Sequence, residues 1–96
     1  MSDPTLLVLS SLAEGDKHGY AMMEDIERFA GLRVGPGTLY GAITRLEQRG
    51  WIRPVKSADD RRQPYTLTAD GRRYLEEQLS ELNQIVRIGL KRLRHA

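Results

Sequence analysis

Apolar residues along the first third of the chain recur at intervals of three and four. Leu6, Leu9 and Leu12, with Ala13, make one apolar stripe that stops at Gly15, which predicts a first helix. Asp3 before Pro4 marks its start: a carboxylate accepts from unpaired N–H groups, and proline at the first helical position has no N–H to leave unpaired. After the turn EGDKHG, the segment YAMMEDIERFAG predicts a second helix. Met22, Met23, Ile26, Phe29 and Ala30 share its buried face, and Glu24, Asp25, Glu27 and Arg28 a solvated one. A third helix is predicted over GPGTLYGAITRLEQRG, with Leu39, Ile43 and Leu46 inward and Gly50 as a left-handed stop. Thr38, Gly41, Arg45 and Gln48 lie on its opposite face.

Beyond Gly50 the pattern changes. WIRPVK and PYTLT are short, rich in β-branched and aromatic residues, and flank the polar SADDRRQ, so they predict a hairpin. Pro54 and Pro64 each remove a ladder donor, which makes both strands edge-type. Thr68 caps a last helix from about Ala69 to Arg94. At ~1.5 Å per residue it extends roughly 35 to 40 Å, farther than so small a body can cover. Leu75, Leu79, Leu82, Val86, Gly89 and Leu93 follow the alternating steps of four and three of a coiled-coil seam, widened by Ile85, Ile88 and Leu90. A glycine inside a helix costs on the order of 1 kcal/mol relative to alanine. Gly89 therefore marks a close approach of two helices, a notch for a bound molecule, or a weak position that is tolerated. The expected fold class is mainly α (α+β): a winged helix-turn-helix with a two-stranded wing over residues 1–68, and a long dimerisation helix over 69–96.

The formal charge of +2 hides an uneven distribution. Met1 to Leu32 holds two Lys/Arg against six Asp/Glu, Arg33 to Thr68 seven against three, and Ala69 to Ala96 six against four. The middle third carries the positive field, as a surface facing a polyanion would, although basic segments also occur as plain solvated faces. With 96 residues there is room for one core. The absence of cysteine excludes disulfides and thiolate metal sites and suits a reducing, cytoplasmic setting. The apolar run near the N-terminus lacks a basic lead and is soon broken by serines and acids, so neither a secretion signal nor a membrane span is expected.

VGPGTLY raises the question of a phosphate loop. Gly35, Gly37 and Gly41 fit neither the Walker spacing nor the dinucleotide fingerprint, no lysine follows, and a helix precedes rather than a strand. The stretch reads better as a helix start: Pro36 presets the first turn, and Thr38 and Tyr40 offer hydroxyls near an N-terminus that favours anions. In a winged helix the third helix enters the major groove and the hairpin reaches the flanking backbone. Groove contacts then fall to Thr38, Tyr40, Gly41, Thr44, Arg45 and Gln48, and phosphate contacts to Lys56, Arg61 and Arg62. Asp59 and Asp60 oppose this charge pattern, so they either form the wing turn or face away from the strand. Trp51 is read as core in preference to a ligand pocket between protomers. His18 and His95 are the only histidines, and no triad or zinc set converges with them; no catalytic residue, metal or cofactor is expected.

HGYAMMEDI, VGPGTLYGAITRLEQRGWI and PYTLTADGRRYL together resemble the PadR family of bacterial winged-helix transcriptional regulators, in three blocks covering about residues 5 to 75. The resemblance implies a homodimer on palindromic operator DNA, usually a repressor, with the C-terminal helix as dimer arm and, in some members, release by a small molecule. It places His18 and Tyr20 near backbone phosphates and Thr38 and Tyr40 in the reading helix. Many members carry serine before P-G-T-L-Y and proline after it, where Gly35 and Gly41 stand here, so the cap and the groove-facing surface differ. The single C-terminal helix matches the short subfamily. A winged helix that binds another protein rather than DNA is the alternative.

Overall fold

Helix α1 (Thr5–Glu14) lies at the centre of the fold, in contact with α2 (Gly19–Ala30), α3 (Pro36–Gln48), α4 (Ala69–Arg94) and strand β3 (Pro64–Leu67). Strands β1 (Lys17–His18) and β2 (Ile52–Pro54) complete the fold. The computed structural model describes residues 3–59 and 61–95. Val8, Leu9 and Leu12 of α1 meet Met22 and Ile26 of α2, Leu39, Ala42, Ile43 and Leu46 of α3, Ile52 of β2 and Leu75 of α4 in one core. The order of elements and the mainly helical content are those of a winged helix-turn-helix, as expected.

Helix α1 begins one residue later than expected. Pro4 occupies the N-cap, and Asp3 Oδ1 accepts from the Thr5 N–H at 3.0 Å, so the carboxylate still satisfies an orphan donor. Its buried face is also displaced: Val8 and Ser11 are buried and Ala13 is exposed, because helices cover α1 on several sides and the covered arc centres on Val8 and Leu12. On α2, Asp25 corrects the expectation of a solvated carboxylate. It shares the arc of Met22 and Ile26 and is only 7% exposed. Its carboxylate accepts from the Ser11 hydroxyl at 2.7 Å and pairs with Arg28 at 3.1 Å and Lys17 at 3.8 Å. Lys17 also reaches the Ser11 carbonyl oxygen and Glu14. Such partners offset the cost of taking a charge out of water. Phe29, expected to be buried, is 50% exposed near the left-handed Gly31 where α2 ends.

The sheet has three antiparallel strands in the order β1-β3-β2, one more than the predicted hairpin. Lys17 pairs with Tyr65 and His18 with Pro64 on one side of β3; Ile52, Arg53 and Pro54 pair with Leu67, Thr66 and Tyr65 on the other. β3 is therefore central and not an edge. Pro64 is tolerated because its missing N–H falls at the first residue of the strand, while its carbonyl still accepts from Val55 N–H at 3.0 Å. At the wing tip Asp59 forms the turn: its Oδ1 accepts from Arg61 N–H at 3.0 Å and its carbonyl from Arg62 N–H at 3.3 Å. Asp60 lies outside the described residues.

The joint between α3 and α4 is built as the sequence predicts. Gly50 is left-handed at φ 77°, and Gly50 and Trp51 N–H groups return to the Glu47 and Leu46 carbonyls, each at 3.0 Å. Thr68 Oγ1 caps α4 through Gly71 N–H at 3.0 Å and donates to the Gly50 carbonyl at 2.6 Å. A Cβ at Gly71 would overlap the Trp51 carbonyl oxygen, which is backbone and has little room to move. Gly71→Ala is therefore expected to cost about 1 to 3 kcal/mol in urea unfolding, as overpacking does; a cost below about 0.5 kcal/mol would show that the joint opens freely. Trp51 is half-buried against the core, stacked on Tyr74 with ring centroids 3.8 Å apart, and the Arg49 guanidinium lies 5.1 Å from its ring.

Helix α4 leaves the body after its first turns, and every described residue from Leu79 to His95 is exposed. Leu75 departs from the expected seam: it is 5% exposed and belongs to the core of its own chain. The exposed apolar residues here are Leu79, Leu82, Ile85, Val86, Ile88, Leu90 and Leu93, of which Leu79, Leu82, Val86, Leu90 and Leu93 share one stripe. A Cβ at Gly89 would meet no packed neighbour within 4 Å, so nothing among the described residues requires glycine there.

Candidate nucleic-acid interface

Three separated segments supply one surface. Helix α3 presents Thr38, Tyr40, Thr44, Arg45 and Gln48 to solvent, with Gly41 partly covered between them. Its first turn carries no side-chain cap, because Gly35 has no oxygen to offer where a serine would accept. The Thr44 hydroxyl donates to the Tyr40 carbonyl at 3.0 Å. Tyr40 lies against the start of α2, where a Cβ on Gly19 would overlap its phenol ring. The glycine of H-G-Y thus lets α3 and α2 approach closely.

His18, Gly19, Tyr20, Tyr40, Arg61, Arg62, Gln63 and Tyr65 line a single cleft between the start of α2, α3 and the wing. Lys56 shares the neighbouring hollow at the wing tip with Arg61 and Arg62. His18 caps α2, its Nδ1 accepting from Ala21 N–H at 3.3 Å. Its Nε2 lies 3.1 Å from an Arg62 guanidinium nitrogen, with donor and acceptor roles set by the tautomer. The remaining guanidinium N–H groups of Arg62, with Arg61 in the same cleft, can donate to an anionic oxygen. Burial first, then Glu47 and Tyr40, pushes the Tyr65 phenol up, so it meets the cleft as a neutral O–H.

The cleft gathers His18, Tyr20, Tyr40, Arg61 and Arg62 of the expected site residues. Thr38, Gly41, Thr44, Arg45 and Gln48 lie along α3, and Lys56 is at the wing tip. The sequence pattern does not mark Tyr65 or Gln63 as site residues, although Tyr65 stands in the block PYTLT; the pairing of β3 with β1 brings it beside His18. Among the described residues no group of three or more His, Cys, Asp or Glu is placed to hold a metal ion, and no helix is long and apolar enough to cross a membrane.

The family model described as "Transcriptional regulator PadR-like family" matches residues 8–77. Over 84 residues the chain is 34% identical to "Transcriptional regulator Rv3488" of Mycobacterium tuberculosis, covering 85% of this chain and 78% of that protein. It is also 42% identical over 84 residues to an uncharacterized 37.1 kDa transposon protein of Streptomyces fradiae, covering 88% of this chain but only 24% of that longer protein. Among solved structures it is similar to a PadR family transcription regulator of Clostridium difficile, with a TM-score of 0.82 and 26% identity over 93% of this chain and 96% of the other.

Proposed function

The chain belongs to the PadR-like family of transcriptional regulators, and from that premise we propose that it is a cytoplasmic repressor that binds palindromic operator DNA as a homodimer. The observation that supports the DNA-binding part is the cleft in which the start of α2, Tyr40 of α3 and the wing arginines Arg61 and Arg62 meet. The apolar stripe of α4 supports the pairing. Paired α4 helices set two reading helices apart by about one turn of DNA, ~34 to 36 Å between half-site centres. A small-molecule effector that spreads or rotates the pair changes that spacing and releases the operator.

The test is a footprint on DNA upstream of the protein's own gene, with affinity measured against salt. A palindromic footprint is expected, and affinity falling log-linearly with a slope near −0.9 per phosphate neutralised. A salt-indifferent chain with no footprint would instead be a protein-binding winged helix. In the same assay Arg45→Ala is expected to relax sequence preference and cost about 1 to 3 kcal/mol, whereas Arg61→Ala weakens all sequences alike. Equal, sequence-blind losses from both changes would contradict this division between base reading and phosphate contact.

A further inference from the structure

The Asp3 carboxylate stands beside the exposed face of α3. Its Oδ1 accepts from the Thr5 backbone N–H at 3.0 Å and from the Thr5 hydroxyl at 2.6 Å, which ties the group to the start of α1. The same oxygen lies 3.9 Å from a guanidinium nitrogen of Arg45. Arg45 leans back toward the start of its helix, as long helical side chains do. Another of its guanidinium nitrogens is 3.6 Å from where a Cβ on residue 41 would stand. The arginine thus lies along residue 41, where a Cβ would stand in ordinary van der Waals contact with it. The Thr5 hydrogen bonds, followed by the charges of Arg45 and Arg49, hold the Asp3 carboxyl below its ordinary range against partial desolvation.

We propose that Asp3 is a positioning residue for sequence selection, its carboxylate steering Arg45 across Gly41 and placing one negative charge inside a cationic DNA-facing surface. The inference rests on the reading of α3 as the helix that enters the groove. An unrestrained arginine grips any phosphate, whereas bidentate reading of a guanine edge needs its fork held in one plane. A carboxylate on part of the guanidinium supplies that restraint. The same charge repels phosphates of every sequence alike, which weakens binding to random DNA. An exposed ion pair contributes little to folding, so the effect belongs to selectivity rather than stability.

Asp3→Asn isolates the charge, because asparagine still offers Thr5 an acceptor. Affinities of the full chain for operator and for random duplex are measured at one salt concentration. Binding to random duplex is expected to tighten up to about fivefold, the size of one exposed charge contact, while operator binding gains less because Arg45 loses its restraint, so the operator-to-random ratio falls with only a small drop in the unfolding midpoint. An unchanged ratio, or equal losses on both duplexes together with lower stability, overturns the proposal. A second measurement needs no DNA: the carboxyl carbon of Asp3 is titrated by NMR in the parent and in Arg45→Ala, where its midpoint is expected to rise. An unmoved midpoint removes the Asp3–Arg45 contact. If the parent shows no operator preference, the DNA-reading function fails while the NMR titration still judges the contact.

Discussion

Val86→Glu is expected to leave the protein monomeric and to weaken operator binding by about a hundredfold or more, the order of the avidity gained when two binding modules are joined. Val86 is 54% exposed and lies on the part of α4 that has left the body. A glutamate there touches nothing of the chain's own core and is a good helix former, so the folded unit survives. What it disturbs is the proposed pairing of two α4 stripes. Burying one Leu, Ile or Val side chain is worth about 1.5 to 3 kcal/mol, and seven such residues stand open along α4. A carboxylate forced into that seam carries a desolvation cost with no partner opposite it. Each monomer then meets one half-site alone. Sedimentation gives the assembly state, and circular dichroism confirms the retained helix. A dimer that persists in Val86→Glu would move the interface away from α4.

Asp25→Ala is the change expected to cost most in folding, about 3 kcal/mol, because it strands the groups that the carboxylate serves. The Ser11 hydroxyl is buried with no further side-chain hydrogen bond among the described residues, and Lys17 is nearly covered. The Ser11 hydrogen bond, then Lys17 and Arg28, hold the Asp25 carboxyl below the usual carboxylate range despite burial. With the folded value below the unfolded one, the carboxylate's contribution is present above about pH 4 and is lost as pH falls through the folded value. Wild-type stability should therefore decline on acidification below about pH 4, and less steeply in Asp25→Ala. Some slope remains, since Asp3 is lowered in the same direction. Urea unfolding at neutral and acid pH measures both effects; identical acid slopes in the two proteins would take Asp25 out of the account. The cluster also bears on the cleft proposed to meet DNA, because Lys17 precedes His18 in β1.

Much of this architecture follows from interactions between residues close in the chain. The stripes of α3 and α4, the left-handed Gly50 and the Thr68 cap each depend on neighbours within about one helical turn, so residue spacing alone announces them. Thr38, Arg45 and Gln48 are exposed for the same reason: a helix whose Leu39, Ile43 and Leu46 face inward must turn them outward. Other features were decided only when distant segments met. Two residues of β1 are too few to display a period, and only their pairing with β3 makes Pro64 part of a central strand. Asp25 is tolerated inside because Ser11, fourteen positions away, supplies a donor. Leu75 belongs to the core rather than to the outward stripe because α1 covers that turn of α4. Gly19 beneath Tyr40 and Asp3 beside Arg45 join the beginning of the chain to α3, contacts that a pattern of apolar and polar positions cannot encode. Local hydrogen bonding and helical period are written in residue order, whereas a buried charge, a two-residue strand and the aim of one arginine depend on what the tertiary fold sets opposite them.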